Sequence, residues 1–174
     1  MKKIYKLVIS LLIPQLAGGL GSYFTVGSVK DWYPVLIKPV LNPPSWIFGP
    51  VWTTLFLLMG YALYLVWNQW DQGNPSARLR VKIALAVFGL QLFLNTLWSI
   101  IFFGLHSPGG ALFEMIFLWL AILATIIAFA KISPPSSSIW TTDGQGKLAA
   151  WLLVPYILWV SFAGYLNYAL WVLN

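Results

Sequence analysis

One face of an apolar segment near the middle of the chain carries two amides and an indole. In the stretch LQLFLNTLWSIIFFG, Gln91, Asn95, Trp98 and Phe102 recur at intervals of four, three and four residues. In a helix these positions share one side. Amides donate and accept hydrogen bonds, and an indole adds one N–H donor and a flat apolar ring. The pattern predicts an inward-facing surface that either bonds a neighbouring helix or holds a flat ligand.

A second candidate stripe lies in the last apolar segment, VPYILWVSFAGYLNYALW. Pro155, Trp159, Ala163 and Leu166 fall on one helical side, with Asn167 at its edge. The stripe places a large aromatic ring above a small side chain. Interhelical hydrogen bonding is the alternative role for the amides of both segments, because such bonds commonly hold membrane bundles together.

Nine of the 11 tryptophans divide into two groups by their position in the apolar segments. Five lie near segment ends, where the membrane interface favours amphipathic rings: Trp67, Trp70, Trp140, Trp151 and Trp171. Four lie about two or more turns inside, where the N–H needs a partner and the ring can stack on a flat ligand: Trp52, Trp98, Trp119 and Trp159. The second group supplies candidate binding residues, and Trp119 is the one without a polar neighbour in the sequence.

Groups for acid–base or metal chemistry are few. Glu114 is the only acid within an apolar segment, His106 is the only histidine, and the chain has no cysteine. A metal site needs several ligands of these types. We therefore expect no metal site and no bound cofactor.

The composition indicates that these residues lie in a membrane rather than in water. The chain of 174 residues is 60% hydrophobic and 8% charged, against roughly 25% charged residues in soluble domains. The apolar residues form runs of helix-spanning length rather than short alternating segments, which disfavours an outer-membrane barrel. The predicted fold is all-α, an integral membrane bundle of five transmembrane helices.

Five spans of about 20 residues each account for residues 1–174 as one transmembrane domain. We predict them at Leu7–Val26, Pro44–Trp67, Ile83–Leu105, Gly109–Ala130 and Leu148–Leu173. The start of the chain, MKKIYKLVISLLIPQLAGG, also has features of a signal peptide, whose cleavage would leave four helices. Because the apolar run continues through Phe24, we expect a retained helix.

Lys and Arg lie mainly on one side of this arrangement. Two, Lys30 and Lys38, fall on the far side, and eight share the side of the N-terminus: Lys2, Lys3, Lys6, Arg78, Arg80, Lys82, Lys131 and Lys147. The positive-inside rule then places the N-terminus in the cytoplasm of a bacterial plasma membrane. Topology and lipid headgroups explain the net charge of +6, so we expect no nucleic-acid partner.

The second span has an unusual entrance, LNPPSWIFGPVW. Its Pro-Pro pair suits the first helical turn, and Gly49-Pro50 one turn later weakens the helix. Irregular backbone at that depth is tolerated where it lines a protein cavity. Trp46 and Trp52 are about 9 Å apart along a helix, so one ring can lie at the rim and the other inside.

Three long motifs resemble the translocator protein or tryptophan-rich sensory protein family, formerly called the peripheral benzodiazepine receptor. The motif KPVLNPPSWIFGPVWT is similar to the first-loop and second-helix signature of the family, QLFLNTLWSIIFFG to its third-helix signature, and VPYILWVSFAGYLN to its fifth. They occur in the order of the family, and the resemblance covers nearly the whole chain.

The resemblance implies a five-helix bundle, often a homodimer, with a pocket near the first loop. That pocket would bind porphyrins such as protoporphyrin IX and synthetic isoquinoline carboxamides, with membrane lipid around the bundle. Carried over by position, the pocket residues are Trp52, Asn95, Trp98, Trp159 and Ala163, and the aromatic residues of the lid are Trp32 and Tyr33.

The chain also departs from the family pattern. Val172 stands where the proposed cholesterol motif of the family has a basic residue, so we expect weak or nonspecific cholesterol binding. Gly110 replaces an aromatic residue before the acid of the fourth helix, and that acid is Glu114 rather than aspartate. Contacts of the lid and ligand preference are therefore expected to differ.

Three kinds of function remain open. The first is a membrane receptor or sensor for porphyrins, with at most a weak degradation of protoporphyrin under light and oxygen that uses the indoles of Trp52 and Trp159. The second is a transporter of small molecules such as tetrapyrroles or lipids. The third is a non-enzymatic scaffold.

Overall fold

The all-α class is confirmed by the computed structural model, which describes residues 2–72, 75–134 and 136–174. The residues in these ranges form six α-helices and no β-strand. Five segments are long and apolar enough to cross a membrane: Lys3–Asp31, Ser45–Asp71, Pro75–Gly104, Pro108–Ala130 and Thr142–Leu173. Each of the five spans expected from the sequence overlaps one of these segments.

The helices follow one another with short connections. Their bounds are Lys2–Asp31 for α1, Ser45–Gln72 for α2, Pro75–Ser99 for α3, Pro108–Ala130 for α4, Gln145–Leu152 for α5 and Val154–Leu173 for α6. A π-helix, Ile100–Gly104, continues α3, and short 3-10 helices lie at Tyr33–Val35 and Thr142–Gly144. We call the end of the bundle where α1 ends and α2 begins the first-loop end.

Two helix boundaries differ from the predicted spans. The first helix continues past Val26 to Asp31, so Lys30 belongs to its last turn rather than to the loop. The fifth span is two helices that meet at Leu153. Pro155 has no N–H to offer the carbonyl of Trp151, which interrupts the regular helical pattern. Just before it, the Leu153 N–H bonds the carbonyl of Ala150, three residues back, at 3.1 Å.

The closest approach of α1 and α2 depends on one glycine. A Cβ added to Gly60 would lie 2.7 Å from the Leu11 Cα and 2.8 Å from the Ser10 carbonyl oxygen. Both are backbone atoms that cannot move aside as a flexible side chain can. Farther toward the first-loop end, the Phe56 ring lies over Gly18, where a Cβ would be 2.2 Å from the ring.

The buried core lies among α2, α3, α4, α5 and α6, whereas α1 is peripheral. Met59 and Val66 of α2 and Ile122 of α4 are fully buried, and Phe88 of α3 stacks on Phe129 of α4 with 5.8 Å between ring centroids. The apolar window of α1 is only 17% buried. Its outward side chains are apolar, as expected for a helix that faces lipid.

Replacing Gly60 with alanine should destabilise the bundle, because the added methyl group meets backbone. Overpacking of this kind typically costs about 1–3 kcal/mol. Gly89→Ala in α3 is the matched control, since a Cβ at Gly89 meets nothing within 4 Å. Thermal unfolding of both variants in the same detergent should show a lower midpoint for Gly60→Ala and an unchanged or slightly higher one for Gly89→Ala. Equal midpoints would contradict the close contact between α1 and α2.

Candidate functional site

A cavity of about 590 Å³ opens between the helices toward the first-loop end. Small-molecule sites in proteins typically enclose roughly 300–1,000 Å³. Side chains from α1, α2, α3 with its π-helix, and α6 line it, together with Tyr33 of the first loop. Four helices therefore contribute to one cavity.

Aromatic rings form much of the cavity wall. Three of their contacts are Trp52 with Phe56 at 5.4 Å between centroids, Phe48 with Trp159 at 5.9 Å, and Trp98 with Phe102 at 5.0 Å. The first and third pairs come from positions four residues apart on one helix, which places both rings on the same side. Ala163, one turn after Trp159, lines the cavity with a single methyl group. The cavity is therefore bordered by flat apolar surfaces with room between them.

Two amides of the lining are also interhelical hydrogen-bonding groups. Asn167 of α6 accepts the Trp98 N–H at 3.0 Å and donates to the Pro108 carbonyl at 2.7 Å. The Asn95 amide donates to the Tyr156 hydroxyl at 3.0 Å. The roles of structural bond and cavity lining, which the sequence left as alternatives, fall on the same side chains.

The predicted inward face of α3 divides in two. Asn95, Trp98 and Phe102 line the cavity, but Gln91 is fully buried outside it. Neither amide atom of Gln91 has a hydrogen-bond partner among the residues of the described ranges, and the same is true of both carboxylate oxygens of the buried Glu114.

The two lid aromatics lie in different places. The buried Tyr33 lines the cavity, and its hydroxyl donates to Asn42 at 2.7 Å. Burial raises the pKa of Tyr33 above its ordinary value, although the hydrogen bond with Asn42 acts in the opposite direction. A tyrosine hydroxyl is protonated at neutral pH even at its ordinary pKa, so this one is a donor.

Trp32 is not a lining residue. Its ring stacks on His106 with 4.4 Å between centroids and an angle of 13°, and it meets the edge of Phe102 at 5.5 Å. The His106 ring is in turn 3.1 Å from the Ser28 hydroxyl. Trp32 thus connects the first loop to the corner between α3 and α4. The other six of the seven predicted binding residues line the cavity.

The largest part of the lining that sequence reasoning missed belongs to α1. Its contribution is a run of small and polar residues on one side of the helix: Gln15, Gly18, Gly19, Gly21, Ser22, Thr25, Val26, Val29 and Lys30. A Cβ added to Gly19 meets nothing within 4 Å, and the same holds for Gly49 on α2. The sequence signal for this wall is the recurrence of small residues at spacings of three and four. Such residues give little contrast between a hydrophobic and a polar side of the helix.

Comparison with known proteins gives one family and several similar chains. Residues 10–172 match the TspO/MBR family. The chain is 39% identical over 173 residues to the tryptophan-rich protein TspO of Chlorobaculum tepidum, covering 99% of this chain and 98% of that one. It is 40% identical over 173 residues to the protein of the same name from Archaeoglobus fulgidus, with 98% of each chain covered. It is 38% identical over 160 residues to the translocator protein of Homo sapiens, covering 92% of this chain and 85% of that one.

Removing the Asn167 amide should weaken the corner that joins α3, α4 and α6. Asn167→Leu leaves the Trp98 N–H and the Pro108 carbonyl without their partner, and interhelical hydrogen bonds in membranes contribute about 0.6–2 kcal/mol each. Ser161→Ala is the control, because it also removes the acceptor of an indole N–H, that of Trp119 at 2.9 Å, but on the exposed outside of the bundle. Unfolding in detergent should show the larger loss for Asn167→Leu, and a larger loss for Ser161→Ala would contradict the structural role of Asn167.

Proposed function

The chain belongs to the TspO/MBR family, and on that premise we propose that it is a membrane receptor or sensor that binds porphyrins in the cavity between its helices. The observation that carries the proposal is the set of three aromatic pairs around one cavity. A porphyrin is a flat apolar ring system, and such rings gain about 0.5–1.5 kcal/mol from each good aromatic contact beyond the burial of area. Isoquinoline carboxamides share the flat ring and add an amide.

The proposed roles of the lining residues follow from their chemistry. Trp52, Trp98 and Trp159 offer ring faces, and Ala163 leaves space beside them. Asn95 donates to Tyr156, and its side-chain oxygen is a group that can accept a ligand N–H. Tyr33 closes the cavity at the first loop, and Trp32 holds that loop against His106.

We propose that light drives the only chemistry at this site. An excited porphyrin sensitises molecular oxygen, which is the oxidant, and a nearby electron-rich indole can donate an electron or trap a reactive species. Trp52 and Trp159 are the indoles assigned to this role, since each belongs to a different ring pair of the wall. The reaction needs no protein acid, base or metal.

A transporter of small molecules is the second candidate, and the depth of the cavity favours it. Lining positions on α1 run from Gln15 to Lys30, a rise of about 22 Å in a helix, against a hydrocarbon core of about 30 Å. Flux of porphyrin that depends on the protein in proteoliposomes would support transport. Saturable binding without flux would support the receptor, and an absence of saturable binding would leave a scaffold.

The test of the leading proposal is a titration with protoporphyrin in darkness, followed by illumination in the presence of oxygen. Wild type should bind saturably and then alter the bound porphyrin, as seen in absorbance and fluorescence. Trp52→Phe and Trp159→Phe should retain most of the binding, because an aromatic face remains, and should slow the photoreaction at equal bound fraction. Trp119→Phe is the control, since that indole lies in the bundle outside the cavity.

Undiminished product formation in both cavity variants would rule out the indole role and leave the binding proposal in place. Failure of wild type to bind protoporphyrin would rule out the receptor for porphyrins itself.

We propose further that the N-terminus lies in the cytoplasm of a bacterial plasma membrane and that the protein is a homodimer there. The chain has no cysteine, so a single engineered one is labelled uniquely. An impermeant thiol reagent applied to intact cells should label Val40→Cys, at a fully exposed position of the first loop, and should spare Ser76→Cys at the start of α3. The reverse pattern would overturn the orientation. Counting protomers in lipid nanodiscs tests the dimer.

A further inference from the structure

The aromatic cavity has a cation at its rim. Lys30, in the last turn of α1, is the one charged residue of the described chain that lines the cavity. No described acid forms an ion pair with its ammonium group, since the ion pair found in the described ranges joins Lys6 to Asp71 at the opposite end of α1. Asp31, which follows it, is not a lining residue.

The position of Lys30 continues the cavity face of α1. Val26 and Lys30 are four residues apart, and both line the cavity, so they lie on the same side of the helix. The Lys30 side chain is exposed, and Tyr33, one turn farther along the chain, is buried against the cavity. A lysine at such a place can lay its methylene groups along an apolar wall while the ammonium group remains hydrated.

We propose that Lys30 pairs with a carboxylate of the ligand, so that the cavity selects flat apolar acids and binds them in one orientation. The acid group stays at the first-loop end, near water, and the ring system enters between the aromatic pairs. This inference rests on the proposed binding of porphyrins, whose natural forms carry carboxylates on flexible side arms. It adds a charge requirement that aromatic stacking alone does not make.

Two other roles of Lys30 do not depend on the ligand. A cation in the last turn stabilises a helix through its dipole, and a lysine at the membrane interface attracts lipid phosphate. Both roles affect the free protein, and neither distinguishes an acidic ligand from its neutral ester. The charge of the ligand is therefore the variable that separates them from the proposal.

The experiment compares protoporphyrin IX with its dimethyl ester, in darkness, on the full chain in nanodiscs of zwitterionic lipid. Quenching of tryptophan fluorescence gives the affinity of each ligand for wild type, Lys30→Met, Lys30→Arg and Lys131→Met. Lys131 lies at the C-terminal end of α4 and outside the cavity, so its variant matches the loss of one positive charge.

Lys30→Met should weaken binding of the diacid about three- to fivefold, the size expected of a partly solvated ion pair, and leave the diester unchanged. Lys30→Arg should restore the preference for the diacid, and Lys131→Met should keep it. The preference in wild type should also decrease at high salt, because exposed charges are screened.

An equal loss for the diacid and the diester in Lys30→Met would overturn the proposal and show that Lys30 acts on the shape of the cavity. An unchanged diacid affinity in that variant would overturn it too. In both cases saturable binding to wild type would leave the porphyrin receptor standing, whereas failure of wild type to bind either porphyrin would remove the premise on which this inference rests.

Discussion

Hydrocarbon cannot form hydrogen bonds, so a polar group inside the bundle is stabilised when it finds a partner in the protein. Asn167 satisfies this constraint for three helices at once, since it accepts from Trp98 on α3, belongs to α6, and donates to the first carbonyl of α4. The bond also limits the orientation of the Trp98 ring, which stacks on Phe102 in the cavity wall. The same interaction that holds the helices together therefore shapes the wall of the site.

The cavity exists because the helices are packed unevenly. Gly60 lets the backbones of α1 and α2 touch toward one end of the bundle, and Phe56 lies over Gly18 farther along. Beyond that contact the facing positions on both helices include glycines with empty space around them, Gly19 and Gly49. Large side chains at these positions would fill part of the cavity. The small residues of α1 therefore matter as much to the site as the tryptophans.

The polar groups that line the cavity differ in their exposure. Asn95 and Asn167 are buried amides bonded to neighbouring helices, whereas Lys30 and Ser45 are exposed residues near the first loop. A ligand with an apolar ring and an acidic arm matches this arrangement, because burial of the ring is favourable and the acid keeps its contact with water. Gln91 and Glu114, whose side chains have no hydrogen-bond partner among the described residues, lie outside the cavity lining.

The sequence by itself determined the membrane environment, the five spans and the inward sides of α3 and α6, apart from Pro155, which is exposed. These follow from composition and from large side chains at helical spacing, which are local properties of the chain. The break at Leu153 was not predicted, although Pro155, which interrupts the helix there, acts locally. Only the tertiary structure decided that α1 supplies a wall, because small residues become a cavity surface only when a particular neighbour lies opposite them. It also decided that Tyr33 lines the cavity while the adjacent Trp32 stacks on His106, since loop side chains are oriented by contacts with residues distant in the sequence.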